Sequence, residues 1–176
     1  MKAIKSAGLT KAYVGLESGD AEVLKKTRTK MTPEQAIEGA AKAKEAGIKV
    51  LASFIFGLGG RYRSKEHIIE TTKLLNLVKP EEIAPMALAV QPGTLLATEV
   101  KKGDFVQATP LQILEEEQYL LENLNIDTVY WGNHGNNITP MKGELPLMQN
   151  HFLEKIKNSI QKNPVTNLEV LATNPW

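Results

Sequence analysis

Glu17 is a carboxylate placed directly after a short apolar run, Lys11–Gly15 (KAYVG), where a buried strand would end. A carboxylate in that position is costly unless it meets a partner or a ligand amine, so its natural chemistry is recognition of a cation. A capping or salt-bridging role at the strand end is the alternative. A second candidate is the Gly57-Leu58-Gly59-Gly60-Arg61 loop, which follows the apolar run Ile48–Phe56. It lacks both the Gly-Lys-Ser/Thr ending of a P-loop and the third glycine of a dinucleotide fingerprint. Its glycines let a planar ligand approach the backbone closely, or else make a plain strand-to-helix turn. His67, His134 and His151 show no metal-ligand spacing. His67 is expected on an early, solvated turn of a helix. His134 lies among Gly132, Asn133, Gly135, Asn136 and Asn137, a loop that suits a polar ligand or a series of Asx turns. No Gly-x-Ser-x-Gly occurs, which leaves a serine hydrolase without support. The chain has no cysteine, which excludes disulfides, thiol catalysis, thiolate zinc sites and a Cys-ligated iron–sulfur cluster in this polypeptide.

The elements that must position these residues are punctuated clearly. Lys11–Gly15 reads as a strand, and Ala21–Thr27 as a short helix with Asp20 as its cap. Thr32-Pro33-Glu34-Gln35 opens a helix that should stop at Gly47, because the Thr hydroxyl and the Gln side chain can cap reciprocally. Ile48–Phe56 is the strongest strand, apolar on both faces. Ser64 is expected to cap a helix running to about Lys79, ahead of Pro80. Glu82–Val90 is a third strand, weakened by Pro85. Gln91-Pro92-Gly93-Thr94 turns into a short helix ending near Gly103, and Thr109-Pro110-Leu111-Gln112 repeats the capping signature for a helix to about Asn125. Asp127–Trp131 is a fourth strand, Gly132 to Leu145 a loop, and Pro146 the start of a last helix. Strands alternating with helices imply right-handed βαβ units, an α/β fold with a mostly parallel sheet. Residues 1–163 are expected to form one domain, with 164–176 a C-terminal tail. In such folds ligands collect at the carboxyl ends of the strands, where Glu17, the glycine loop, Gln91 and the amide-rich loop all fall.

Lys and Arg number 21 against 20 Asp and Glu, a net charge of +1, which argues against a coat for nucleic acid or anionic membrane. The basic clusters are short and lack interleaved aromatics, so no nucleic-acid partner is expected. The longest apolar stretch, Val50–Leu58, cannot span a bilayer. With no signal-like start, a cytoplasmic location is expected.

Taken in order, Tyr13-Val14-Gly15-Leu16-Glu17-Ser18-Gly19, Phe54-Ile55-Phe56-Gly57-Leu58-Gly59-Gly60, Ser64–His67 and Gln91-Pro92-Gly93-Thr94 resemble the later half of a radical S-adenosylmethionine (SAM) domain. Asn133–Asn137 with Pro140 and Lys142-Gly143 resembles the C-terminal loop of a subgroup of Fe–S oxidoreductases that are coproporphyrinogen-oxidase-like. The resemblance covers about residues 1 to 160. It implies a partial (βα) barrel, with Lys11–Gly15, Ile48–Phe56 and Glu82–Val90 as its fourth to sixth strands. In that superfamily a [4Fe–4S] cluster on a CxxxCxxC loop binds SAM and cleaves it to a radical. The resemblance further implies that Glu17 and Ser18 face the methionyl and ribose parts of SAM. Ile55, Gly57 and Gly59 would line the adenine pocket, and the backbone near Ala89–Gln91 would close it.

Two departures follow from the same comparison. No CxxxCxxC loop is present, and the position about twelve residues after Glu17, basic in many relatives, is Thr29. The implied reading is a truncated piece of a radical SAM oxidoreductase or transferase, holding part of the SAM and substrate wall and inactive alone. SAM and the [4Fe–4S] cluster would be cofactors of the parent family, with neither expected on this chain and no metal site. The expected partners are the missing N-terminal half of the barrel and a second copy, docked at the open sheet edge. A non-catalytic binding or scaffold protein derived from such a domain is the alternative, and an unrelated nucleotide-binding module a third.

Overall fold

In chain order the elements are α1 (Lys2–Ser6), β1 (Lys11–Glu17), α2 (Ala21–Lys26), α3 (Pro33–Glu45), β2 (Lys49–Phe56), α4 (Gly60–Val78), β3 (Glu82–Ala87), α5 (Leu95–Lys102), α6 (Pro110–Asn123), β4 (Thr128–Gly132), β5 (Met141–Leu145) and α7 (Gln149–Lys162). They come from a computed structural model, which describes residues 1–162; the expected tail at 164–176 lies outside the described residues. The sheet order is β1-β2-β3-β4-β5, parallel from β1 to β4 with β5 antiparallel to β4. The result is an α/β fold of successive βα units, a partial barrel.

Both predicted capping boxes form. Thr32 and Gln35 cap α3 reciprocally, as Thr109 and Gln112 cap α6, each with proline in the first turn. Period-two alternation then sorts the strands into two faces. Val50, Ala52, Phe54 and Phe56 of β2, with Ile83 of β3 and Tyr130 of β4, are buried in one core with α3, α4, α6 and α7. The opposite face carries Tyr13, Leu51, Ile55 and Met86, which are half-buried or exposed. Tyr13 keeps 64% of its surface in solvent. All the large helices therefore cover one face, as on the outside of a barrel.

The structure carries β1 on to Glu17 rather than Gly15 and ends β3 at Ala87 rather than Val90, and it differs from the sequence expectation at three further places. Met141–Leu145 is a strand rather than loop, paired to β4 from Thr128↔Leu145 to Gly132↔Met141. Its central Gly143 is required because a Cβ there would meet Met148 and Phe152 of the closing segment. The last helix accordingly starts at Gln149 rather than Pro146. Ser64 does not cap a helix start: α4 begins at Gly60, and Arg63 forms a kink within it at φ −131°.

Pro85 is accommodated in β3 by register. Leu88 donates to the Phe56 carbonyl, so the even-numbered residues of β3 donate towards β2 and the odd-numbered ones face β4. The missing Pro85 N–H thus falls on the β4 side, beyond the Glu82↔Val129 and Ile83↔Tyr130 pairs where β4 leaves the sheet. The Asn137 side chain takes the vacated place, donating to the Pro85 carbonyl (3.0 Å) and accepting from the Ala87 amide (2.8 Å).

Candidate functional site

The end of β1 carries a bulge. Gly15 faces Ser53 and Glu17 faces Phe54, so Leu16 is the extra residue, turned into the core. A tight turn follows, with Ser18 N–H donating to the Leu16 carbonyl at 2.7 Å. Glu17 is thereby held at φ 61°, a left-handed conformation that costs a residue with a Cβ about 1–2 kcal/mol. Its carboxylate folds back over Gly15: a Cβ on Gly15 would lie 2.5 Å from Glu17 Oε1 and 3.8 Å from Ser53 Oγ. Glu17 is half-buried, and burial pushes its carboxyl above the ordinary range. Among the described residues its carboxylate has no hydrogen-bond or ion-pair partner. Glu17 thus presents a strained, partly desolvated and unpaired carboxylate on the open face.

The next three residues are tied to α4 one by one. Ser18 Oγ bonds His67 Nδ1 (2.8 Å), Gly19 N–H donates to Thr71 Oγ1 (2.9 Å), and Arg63 forks onto both carboxylate oxygens of Asp20 (2.7 and 3.1 Å). Arg63, His67 and Thr71 recur every four residues and form a single stripe along the helix. Gly19 has no room for a side chain, since a Cβ would run into the backbone of Glu70 and Thr71. Burial raises the Asp20 carboxyl, but the Arg63 contact and the amides of Val23 and Glu22 outweigh it and leave its pKa low. His67 is fully buried, not solvated as its helix position implied. Its Nε2 lies 3.0 Å from the Ile55 carbonyl, which can only accept, so Nε2 carries the proton and Nδ1 accepts from Ser18. Burial drives its pKa down to about 4, partly offset by the Ile55 carbonyl and Asp20.

The glycine loop is fixed from behind by a residue that sequence reasoning missed. Glu116 of α6, 1% exposed, accepts from the Gly57 amide (2.7 Å) and the Ser64 hydroxyl (2.5 Å), and its Oε2 lies 3.9 Å from His67 Nε2. Burial raises its pKa to about 7 against both donors. Gly57 sits at φ 78°, and a Cβ on Gly59 would strike the Arg63 carbonyl and His67 Cβ. Ser18, Ile55, Gly57 and Gly59 therefore converge on His67 and Glu116. Ile55 also presents its side chain to the open face. Gln91 lies on an exposed turn, its carbonyl accepting from the Thr94 hydroxyl at 2.7 Å. Thr29 shares a hydrogen bond with Thr27, between their hydroxyls.

Residues 1–75, which hold β1, Glu17, the glycine loop and most of α4, match the family described as the Radical SAM superfamily. Over 97 residues the chain is 33% identical to an uncharacterized methyltransferase of Pyrococcus horikoshii, an alignment that covers 54% of this chain and 20% of that protein. The chain thus spans about a fifth of the curated relative it matches. The superfamily's cofactors are SAM and a [4Fe–4S] cluster. With no cysteine in the sequence, and no cluster of metal-ligating side chains among the described residues, the residues present do not fit an iron–sulfur cluster. Among the described residues no helix is long and apolar enough to cross a membrane.

Proposed function

We propose that this chain carries part of the wall of a radical SAM domain against which SAM and substrate are held, and that alone it does not turn over. The observation that carries this reading is the Glu17 carboxylate: half-buried, unpaired, and folded into the space that Gly15 leaves free. Such a group suits the ammonium of an aminoacyl moiety, which would supply the partner it lacks. Ile55 and the Gly57–Gly59 backbone offer an apolar, close-approach surface to adenine, and Gln91 with the residues before it closes the rim. Ser18 serves from behind, since its hydroxyl is used by His67 and by the Asp20 amide (2.9 Å). The likeness to a methyltransferase favours group transfer over oxidoreduction for the parent reaction. With no thiolate to hold the cluster, the radical step is outside this chain's chemistry.

Open to water on one face, each contact nets only about 1 kcal/mol, and the dissociation constant for SAM should be roughly millimolar or weaker. Ligand-observed NMR with SAM, with calorimetry for tighter binding, is the test. Weak binding abolished in Glu17→Ala supports the reading, and weak binding unchanged by it removes Glu17 from the site. Micromolar binding lost on that substitution would make the half-barrel a self-sufficient SAM module and overturn the wall reading.

The same geometry supports self-association. Lys49 donates to the Thr10 carbonyl, so the even-numbered residues of β1 bond β2, and Lys11, Tyr13 and Gly15 direct their backbone groups away from the sheet. With the exposed Tyr13 ring beside it, this edge can take a strand from a second copy. Light scattering should find a dimer or larger species, and a clean monomer at high concentration would refute it.

A further inference from the structure

Between Glu17 and the glycine loop stands a side chain that touches neither ligand surface. His67 is fully buried, yet it bonds the residue after Glu17 and the carbonyl two residues before Gly57. We propose that His67 is the positioning residue of this rim: its Nε2–H imidazole spans Ser18 and Ile55, and so holds Glu17 in its left-handed, unpaired state at a set place relative to the glycine loop. Three features converge on this. The tautomer is dictated, because the Ile55 carbonyl requires a donor and leaves Nδ1 to accept from Ser18. The Ser18 oxygen then accepts from the Asp20 amide, so the turn carrying Glu17 is bonded at its hydroxyl, while Gly19 and Asp20 are bonded to Thr71 and Arg63 of the same stripe. The glycine loop is packed against the same imidazole, since Gly59 admits no Cβ beside His67 Cβ, and Glu116 pins the Gly57 amide. The bonds of Gly19 to Thr71 and of Asp20 to Arg63 hold the far side of the turn, and the Ser18–His67 bond is what ties the residue next to Glu17 to the glycine loop; without it the strain at Glu17 can relax towards negative φ.

The inference deepens the SAM-wall reading and rests on it for the identity of the ligand, but its test reads Glu17 directly, with no SAM present. A failed SAM titration therefore counts against the functional reading alone. The amide of His67→Gln reaches the Nε2 position and keeps the bond to Ile55 while giving up Ser18; His67→Asn does the reverse. In His67→Gln the backbone coupling and Cα shift of Glu17 should move from left-handed to extended values, and its raised pKa should fall back towards the ordinary carboxylate range. His67→Asn should preserve both signatures. A glutamine variant that leaves Glu17 unmoved, or an asparagine variant that moves it as far, overturns the proposal. Nitrogen NMR of the unaltered protein gives a check that no variant's folding can obscure. At neutral pH His67 should show a bare Nδ1 and a protonated Nε2, and a protonated Nδ1 would overturn the assignment.

Discussion

Glu17 and Glu116 are both carboxylates that burial makes harder to ionise, and the molecule treats them in opposite ways. Behind the sheet, Glu116 meets two donors and joins α6 to the glycine loop and α4. On the open face, Glu17 meets none and sits on a strained backbone. The helix side has satisfied its polar groups almost throughout; only Thr128 Oγ1 is a buried side-chain atom without a partner among the described residues. Incomplete satisfaction at Glu17 is thus local. The fold thus satisfies its polar groups behind the sheet and leaves one carboxylate open on the other face, the contrast on which the proposed role of Glu17 rests.

Breaking the satisfied side should have the largest effect. Glu116→Ala leaves the Gly57 amide and the Ser64 hydroxyl buried without an acceptor, a loss of about 3 kcal/mol. Glu116→Gln keeps one acceptor oxygen and should cost roughly a third of that. Urea unfolding of the two variants is the measurement, and equal losses would mean that packing, not hydrogen bonding, is the role of Glu116.

The pH dependence comes next. Glu116 and Glu117 are each raised to about 7 by burial, which in Glu117 outweighs the lowering effect of the bond it accepts from Tyr130 Oη at 2.5 Å. Between their ordinary value of 4.5 and about 7 the folded protein keeps protons that the unfolded chain has released, so stability falls as pH rises through that window. His67 acts in the other direction. Lowered from 6.5 to about 4, it leaves the unfolded chain holding the extra proton between those values, so its contribution rises with pH. Two carboxylates outweigh one imidazole, and the unfolding free energy should fall between pH 5 and pH 7. In Glu117→Gln only Glu116 and Glu17 remain to oppose His67, and the profile should become shallower up to pH 6.5. A variant profile as steep as the wild type would remove Glu117 from the account.

The satisfied side was also the harder one to read. The capping boxes at Thr32 and Thr109, the stop at Gly47 and the alternation of strands and helices were legible, because each is set within a few residues. Glu17 was legible too, since an acid directly after an apolar run is conspicuous in itself. His67 was not, because its partners lie 49 and 12 residues away and a histidine early in a helix reads as solvated. Its spacing of four from Arg63 and from Thr71 was the available sign of a shared face. Glu116 and Glu117 sit in the run Glu115–Glu117, which looks like an exposed acidic patch, although Glu117 stands three and four residues before the buried Leu120 and Leu121. Strand β5 escaped because Met141–Leu145 alternates over only five residues, with a glycine at the centre where α7 packs.

The smallest expected effect tests the open side. Glu17→Ala and Glu17→Gly both remove the carboxylate, and both leave Gly15 uncovered. They differ in the backbone: alanine still suffers at φ 61°, whereas glycine adopts that conformation without steric cost. Against this, glycine loosens the unfolded chain more than alanine does, which offsets part of the gain. The glycine variant should therefore be the more stable of the two by a net of about 0.5–1 kcal/mol. Urea midpoints measured side by side resolve a difference of that size, because the slopes of two such similar proteins should agree. Equal midpoints would mean that Glu17 is not held left-handed in solution, and the contrast with Glu116 would lose its strained half. A more stable glycine variant that has also lost SAM recognition would show strain retained at this rim for the carboxylate it presents, a stability cost borne on the open face alone.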